Sequence, residues 1–303
     1  MKNRIFIGLS ILFFACQPQP ETNENIKPQI VCTTGMLGDA VKNIVGEHYE
    51  VTSLMGPGVD PHLYKATQGD LKALSNADII IYNGLHLEGK MGEVFEKLEN
   101  RKQIIVAAEA IPEEQLINNT EFQGAFDPHL WFDVEIWAKV VLHLRNGIID
   151  FNPELKKDIN KNTQVYYELL QDLNTNVVSS IESLDSSKRI LITAHDAFGY
   201  FGRTYSFKVK GLQGISTVSE YGLKDVSNLV NFITEKEINA VFVESSVSDR
   251  SLKAVIEGCK AKGHEVSIGG ILYSDAMGEE NTSEGTYLGM VKYNVNTIVN
   301  SLK

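Results

Sequence analysis

The chain reads as an α/β protein: two βα lobes with mainly parallel sheets, joined by one long rigid α-helix. Three observations predict this. Short apolar runs alternate with segments of helical periodicity in both halves, the pattern of buried parallel strands and their covering helices. The run 153–184 carries Leu155, Ile159, Tyr166, Leu169, Leu173, Val177, Ile181 and Leu184 three, four or seven apart, which is one apolar stripe on a helix. Finally, 303 residues with 43% hydrophobic and 22% charged content suffice for two domains with real cores.

The long run is the organising element. No Gly or Pro interrupts it after Pro153, and Pro is favoured in a helix's first turn. A continuous helix there is roughly 45–50 Å long, too long for a connector inside one domain. It therefore reads as a rod between two units, with Asn152 as a candidate cap. The expected layout is a lipoprotein signal over 1–16 ending at Cys16, a flexible tether over 17–28, an N-terminal βα lobe over 29–150, the linking helix over 151–186 and a C-terminal βα lobe over 187–303.

In the first lobe, strands are expected at 29–34, 50–55, 78–82 and 103–107, with helices at 36–46, 67–75, 92–98 and 134–149. Thr67 is the cap of the second helix. A turn-rich segment, Gly56-Pro57-Gly58-Val59-Asp60-Pro61-His62, follows the second strand. A loop of roughly twenty residues, long for a compact domain, follows the fourth and ends at Asp127-Pro128-His129. In the second lobe, strands are expected at 189–193, 208–212, 240–243 and 265–272, with helices at 197–204, 225–237, 252–261 and 286–302. Ligands of such open sheets sit beyond the carboxyl ends of the strands. His62, His195 and Asp275 follow strands directly, and His129 closes the long loop, so all four belong at a shared cleft.

At the N-terminus, Lys2 and Arg4 precede an apolar run over 5–15 and then Cys16. The run is too short to span a bilayer but suits a secretory signal. Ala15-Cys16 resembles a bacterial lipobox, with Phe13 where an aliphatic residue is usual. Lipid on Cys16 then implies an extracytoplasmic, membrane-anchored protein. The net charge of −11 and scattered basic residues exclude a nucleic-acid partner and favour cationic ligands. Cys32 and Cys259 fall in different halves and read as buried thiols rather than a disulfide.

Of the seven histidines, His48 and His264 read as surface-turn residues, His143 as a helix residue and His86 as ambiguous. His62 and His129 share a local phrase, Asp60-Pro61-His62-Leu63-Tyr64 and Asp127-Pro128-His129-Leu130-Trp131. Pro fixes its own φ and drives the preceding Asp toward extended geometry, giving a stiff loop that holds an imidazole in place. Asp60, Asp127 or Asp133 is then available to accept a ring N–H. With His195 and Asp275 the set is three imidazoles and one carboxylate. That suits a divalent zinc, manganese or iron ion and is too nitrogen-rich for calcium or magnesium. The wide spacing of the four positions leaves separate structural roles open at this point.

A resemblance narrows the choice. The two Asp-Pro-His phrases, Thr193-Ala194-His195-Asp196-Ala197-Phe198-Gly199-Tyr200-Phe201, Gly211-Leu212-Gln213-Gly214, Glu244-Ser245-Ser246 and Ser274-Asp275-Ala276-Met277-Gly278 resemble, in the same order, the metal-binding components of bacterial ABC importers for zinc and manganese. The likeness runs from about residue 30 to the C-terminus. It implies two βα lobes with a metal ion between them, His62, His129, His195 and Asp275 as its four ligands, and a monomer that hands Zn2+ or Mn2+ to the permease of an ABC importer. His195 stands where many manganese-specific relatives carry Glu, which leans toward zinc. The segment 111–126 lacks the His-rich stretch of dedicated zinc members, which leans the other way. Four protein ligands leave little room for a reactive water, so no enzyme activity is expected. The competing readings are a metallohydrolase using the same site, against which no His-Glu-x-x-His helix occurs, and an adhesin-like surface lipoprotein.

Overall fold

The computed structural model describes residues 27–119 and 124–303; the signal and Cys16, with most of the tether, lie outside these residues. The first lobe contains β1 (Gln29–Cys32), α1 (Gly35–Val45), β2 (Glu50–Ser53), α2 (Gln68–Asn76), β3 (Ile79–Tyr82), α3 (Gly92–Glu99), β4 (Gln103–Val106) and α4 (Val134–Phe151). Helix α5 (Lys156–Glu182) follows a single 3-10 turn, Pro153–Leu155. The second lobe contains β5 (Ile190–His195), α6 (Gly199–Tyr205), β6 (Lys208–Gln213), α7 (Leu223–Glu235), β7 (Ala240–Glu244), α8 (Arg250–Ala261), β8 (Ser267–Leu272) and α9 (Tyr287–Leu302).

Each lobe is built on a parallel sheet, ordered β2-β1-β3-β4 in the first and β6-β5-β7-β8 in the second. The central strands are apolar on both faces, as helices on both sides demand: Ile79, Ile80 and Ile81 of β3 are fully buried. The orders are equivalent, so the carboxyl ends of the first and third strands of each sheet form its switch point.

Three expectations are corrected. Helix α5 begins at Lys156 and its 27 residues span about 40 Å. Its buried stripe is Ile159, Thr163, Tyr166, Leu170, Leu173, Val177 and Ile181, while Leu169 is exposed. Thr163 enters a stripe of apolar residues because its hydroxyl donates to Ile159 O at 2.7 Å, within the helix itself. Asn152 precedes the 3-10 turn but makes no side-chain capping hydrogen bond. Strand β5 runs on to His195 because that residue stays in ladder register with Gln213 of β6, so the imidazole is the last of the strand rather than the first after it.

Helix α5 is also not a free rod. It packs against α1 and α4 of the first lobe and α9 of the second. One continuous apolar core runs through both lobes, taking Trp131, Trp137 and Leu144 from one side and Phe198, Tyr200 and Tyr287 from the other. Half-buried Asp39 of α1 ties the arrangement together, accepting from Tyr287 N–H at 3.1 Å and from the Tyr166 hydroxyl at 3.3 Å. Cys32 and Cys259 are buried free thiols.

Candidate metal centre

His62 sits in the loop between β2 and α2. A capping box closes the loop's far end: the Thr67 side chain accepts from Asp70 N–H, and Asp70 accepts from Thr67 N–H. The Tyr64 hydroxyl donates to the same Asp70 carboxylate at 2.7 Å, which pins the loop beside the histidine. Asp60 Oδ1 accepts the backbone N–H of His62 at 2.8 Å. The imidazole is 3% exposed, while Leu63 next to it is open to solvent.

The same phrase is used differently at His129. Asp127 Oδ1 accepts the His129 backbone N–H at 2.9 Å and also lies 2.7 Å from ring Nδ1. That contact fixes the ring and directs Nε2 inward. Asn83 Nδ2 donates to Pro128 O at 3.0 Å, and the Tyr200 hydroxyl of the second lobe donates to Asp127 O at 3.1 Å. Gly199 is required beside it, since a Cβ there would stand 2.5 Å from Asp127 Oδ2. Asp133, the third candidate, instead caps α4 by accepting from Glu135 and Ile136 N–H, and accepts the Thr204 hydroxyl at 2.6 Å.

His195 is held by Glu244, at the end of the neighbouring strand β7. Glu244 Oε1 accepts the His195 N–H at 2.9 Å, and Oε2 lies 2.5 Å from Nδ1. Sequence reasoning passed over this carboxylate, although the strand-end rule that found His195 points equally to a Glu closing an adjacent strand. Gly211 of β6 leaves room for the histidine's backbone: a Cβ would lie 2.6 Å from His195 C. Asp275 follows β8. The Trp131 indole N–H donates to Ser274 O at 2.9 Å, so a first-lobe residue fixes the backbone of a second-lobe site residue.

All four expected residues come together. His62 Nε2 and His129 Nε2 are 3.4 Å apart. Asp275 Oδ1 lies 3.4 Å from His129 Nε2, and Oδ2 lies 3.2 Å from His195 Nε2 and 4.0 Å from His62 Nε2. One donor atom from each falls within 4.8 Å of all the others, in the one such group of His, Cys, Asp and Glu found among the described residues. A tetrahedral ion with bonds of 2.0–2.1 Å has donor–donor edges of about 3.3–3.4 Å. Both oxygens of Asp275 and Nε2 of His195 are buried and make no aligned hydrogen bond, although they face ring nitrogens or carboxylate oxygens of the cluster. Buried polar atoms are rarely left so unless another species satisfies them. His48, His86, His143 and His264 stand apart from the cluster; His264 Nε2 contacts Ile238 O at 2.7 Å.

The electrostatics separate the three rings. Burial, together with the neighbouring histidines, pushes His62 down to about 3, outweighing the pull of Asp275. Burial also opposes charge on His129, but the Asp127 and Asp275 carboxylates outweigh it and raise the ring to about 9. His195 is raised well above its usual value against burial, by Asp275 and Glu244. Asp275 is buried too, yet His195 and His129 hold it well below the usual carboxylate range. The site is therefore a negative, desolvated pocket with inward-facing nitrogen and oxygen donors, a place for a cation.

Two parallel-sheet lobes with a buried donor cluster at their facing strand ends define a two-lobed solute-binding protein. The chain belongs to the family of the periplasmic component A of zinc-uptake complexes, ZnuA, whose model matches residues 30–301. That family is a solute-binding transport component and not an enzyme. The chain is 54% identical over 275 residues to the manganese-binding lipoprotein MntA of Bacillus subtilis, covering 91% of this chain and 90% of that one. It is 48% identical over 276 residues to the zinc-binding protein TroA of Treponema pallidum, covering 91% and 89%. The solved structure of the periplasmic TroA superposes with a TM-score of 0.89 at 47% identity, over 91% of this chain and 99% of that one. These relatives lend nothing to the metallohydrolase or adhesin readings. No helix among the described residues is long and apolar enough to cross a membrane.

Proposed function

We propose that the protein captures a divalent metal ion between its lobes, with His62, His129, His195 and Asp275 as ligands, and delivers it to the permease of an ABC importer. The observation that carries this reading is the Asp275 carboxylate, buried at the centre of three inward-facing imidazole nitrogens. Both its oxygens face those nitrogens, Oδ1 toward His129 and Oδ2 toward His195 and His62. Two-oxygen binding makes the site five-coordinate, which serves manganese as well as zinc. We therefore assign it both ions as cargo. Relatives named for each fit that assignment. Lipid on Cys16 tethers the monomer outside the cytoplasmic membrane, where the cargo enters.

Binding requires that protons leave the rings. His129 and His195 are raised, so they hold protons in the metal-free protein at neutral pH, whereas His62 does not. Affinity for zinc and for manganese should therefore climb between pH 6 and 9, by about tenfold per pH unit for each proton displaced. Chelator-competition titrations, corrected for the chelator's own protonation, measure this. Absence of uptake of either ion, or flat affinity across that range, sinks the three-histidine site.

A further inference from the structure

The motif Gly211-Leu212-Gln213-Gly214 contributes none of the four donors, yet it leads into a loop that crosses to the other lobe. Gln213 ends β6 in register with His195. Its side-chain amide donates to Thr217 O at 3.4 Å and Ser219 O at 3.2 Å, which shapes the segment 214–222 into a turn. The Thr217 hydroxyl then donates to Asp60 Oδ2 at 2.6 Å, across the cleft. The other oxygen of Asp60 is the one that holds the His62 backbone N–H. Named side chains and backbone thus connect the ligand of one lobe to that of the other: His195, Gln213, Thr217, Asp60, His62. Gly58, on the same loop as His62, lies where an added Cβ would be only 3.5 Å from Ser245 O of the second lobe, so the loop is drawn close over that lobe.

The strap is lightly held. Ile215 is its buried apolar residue, while Val218 and Tyr221 are exposed, 55% and 39%. Segments with few buried contacts open at low cost. The tie it makes is nevertheless of the stronger kind, a short hydrogen bond to a carboxylate. We propose that Thr217 is a positioning residue for metal retention: its hydroxyl, acting through Asp60, holds His62 in the donor cluster and sets how slowly the ion leaves. This rests on the metal-binding reading above.

The test is release of zinc or manganese from the loaded full chain into excess fluorescent chelator after rapid mixing. Thr217→Val keeps the shape and removes the hydroxyl; it should speed release about tenfold, as loss of a hydrogen bond to a charged group does. Thr217→Ser should restore release to within about threefold of the unmodified rate. In an Asp60→Ala background, adding Thr217→Val should change nothing further, because the two act as one unit. Unmodified protein that takes up neither ion overturns the metal reading and this inference with it. Normal uptake with unchanged release from Thr217→Val, failure of Thr217→Ser to restore release, or additive effects in the double variant overturns this inference alone.

Discussion

His62 and His129 are introduced by the same Asp-Pro pair and meet at 3.4 Å, yet they are held in opposite ways. Asp127 grips both the backbone and the ring of His129, and second-lobe atoms crowd that segment: Tyr200 bonds Asp127 O, Ser274 O accepts from Trp131, and the Tyr287 hydroxyl donates to Trp131 O at 2.8 Å. Asp60 grips only the backbone of His62 and spends its second oxygen on a loop with an exposed tip. The shared Asp-Pro-His wording therefore yields an anchored imidazole on one side and a tethered one on the other. The difference lies in what the rest of the chain brings against each phrase.

The contrast is broken most severely by deleting the rings in turn. If binding free energy of order 10–16 kcal/mol is shared among four ligands, losing either one weakens affinity by roughly 100-fold or more. The two variants should differ in the metal-free protein. His129→Ala leaves Asp127 buried and unpaired, which costs about 3 kcal/mol of fold stability, while His62→Ala leaves no such charge. Denaturant unfolding of both apo proteins checks this, and equal losses would mean that the two sides are not held differently after all. A finer cut is Asp127→Asn, which keeps an acceptor but removes the charge behind His129. Zinc affinity should fall about 10–100-fold with the fold intact. The smallest effect is expected at Tyr287→Phe, which removes one bond of the anchored side. Stability should drop by about 1–2 kcal/mol, seen as a lower melting temperature, and metal affinity should move by less than about threefold.

Much of this was legible in the sequence because it obeys local rules. Apolar runs gave the strands, Thr67 as a cap gave a helix start, and strand-end logic put His62, His195 and Asp275 on one rim. What escaped depends on contacts made only after folding. Leu170 rather than Leu169 faces inward because α5 meets three other helices and not one, and a stripe read by spacing cannot tell adjacent leucines apart. Glu244 acts on His195 only because β7 lies beside β5, a pairing that strand order decides. Thr217 looks like any loop threonine until Asp60, 157 residues earlier, arrives opposite it.

The embedding of α5 in both halves has a consequence beyond stiffness. A spine that shares its apolar face with α1, α4 and α9 lets neither half swing without tearing a common interior. Loaded and empty molecules then present nearly the same outline. Any transporter gate that tells full carriers from spent ones must therefore read a small patch at the rim, not a change of shape.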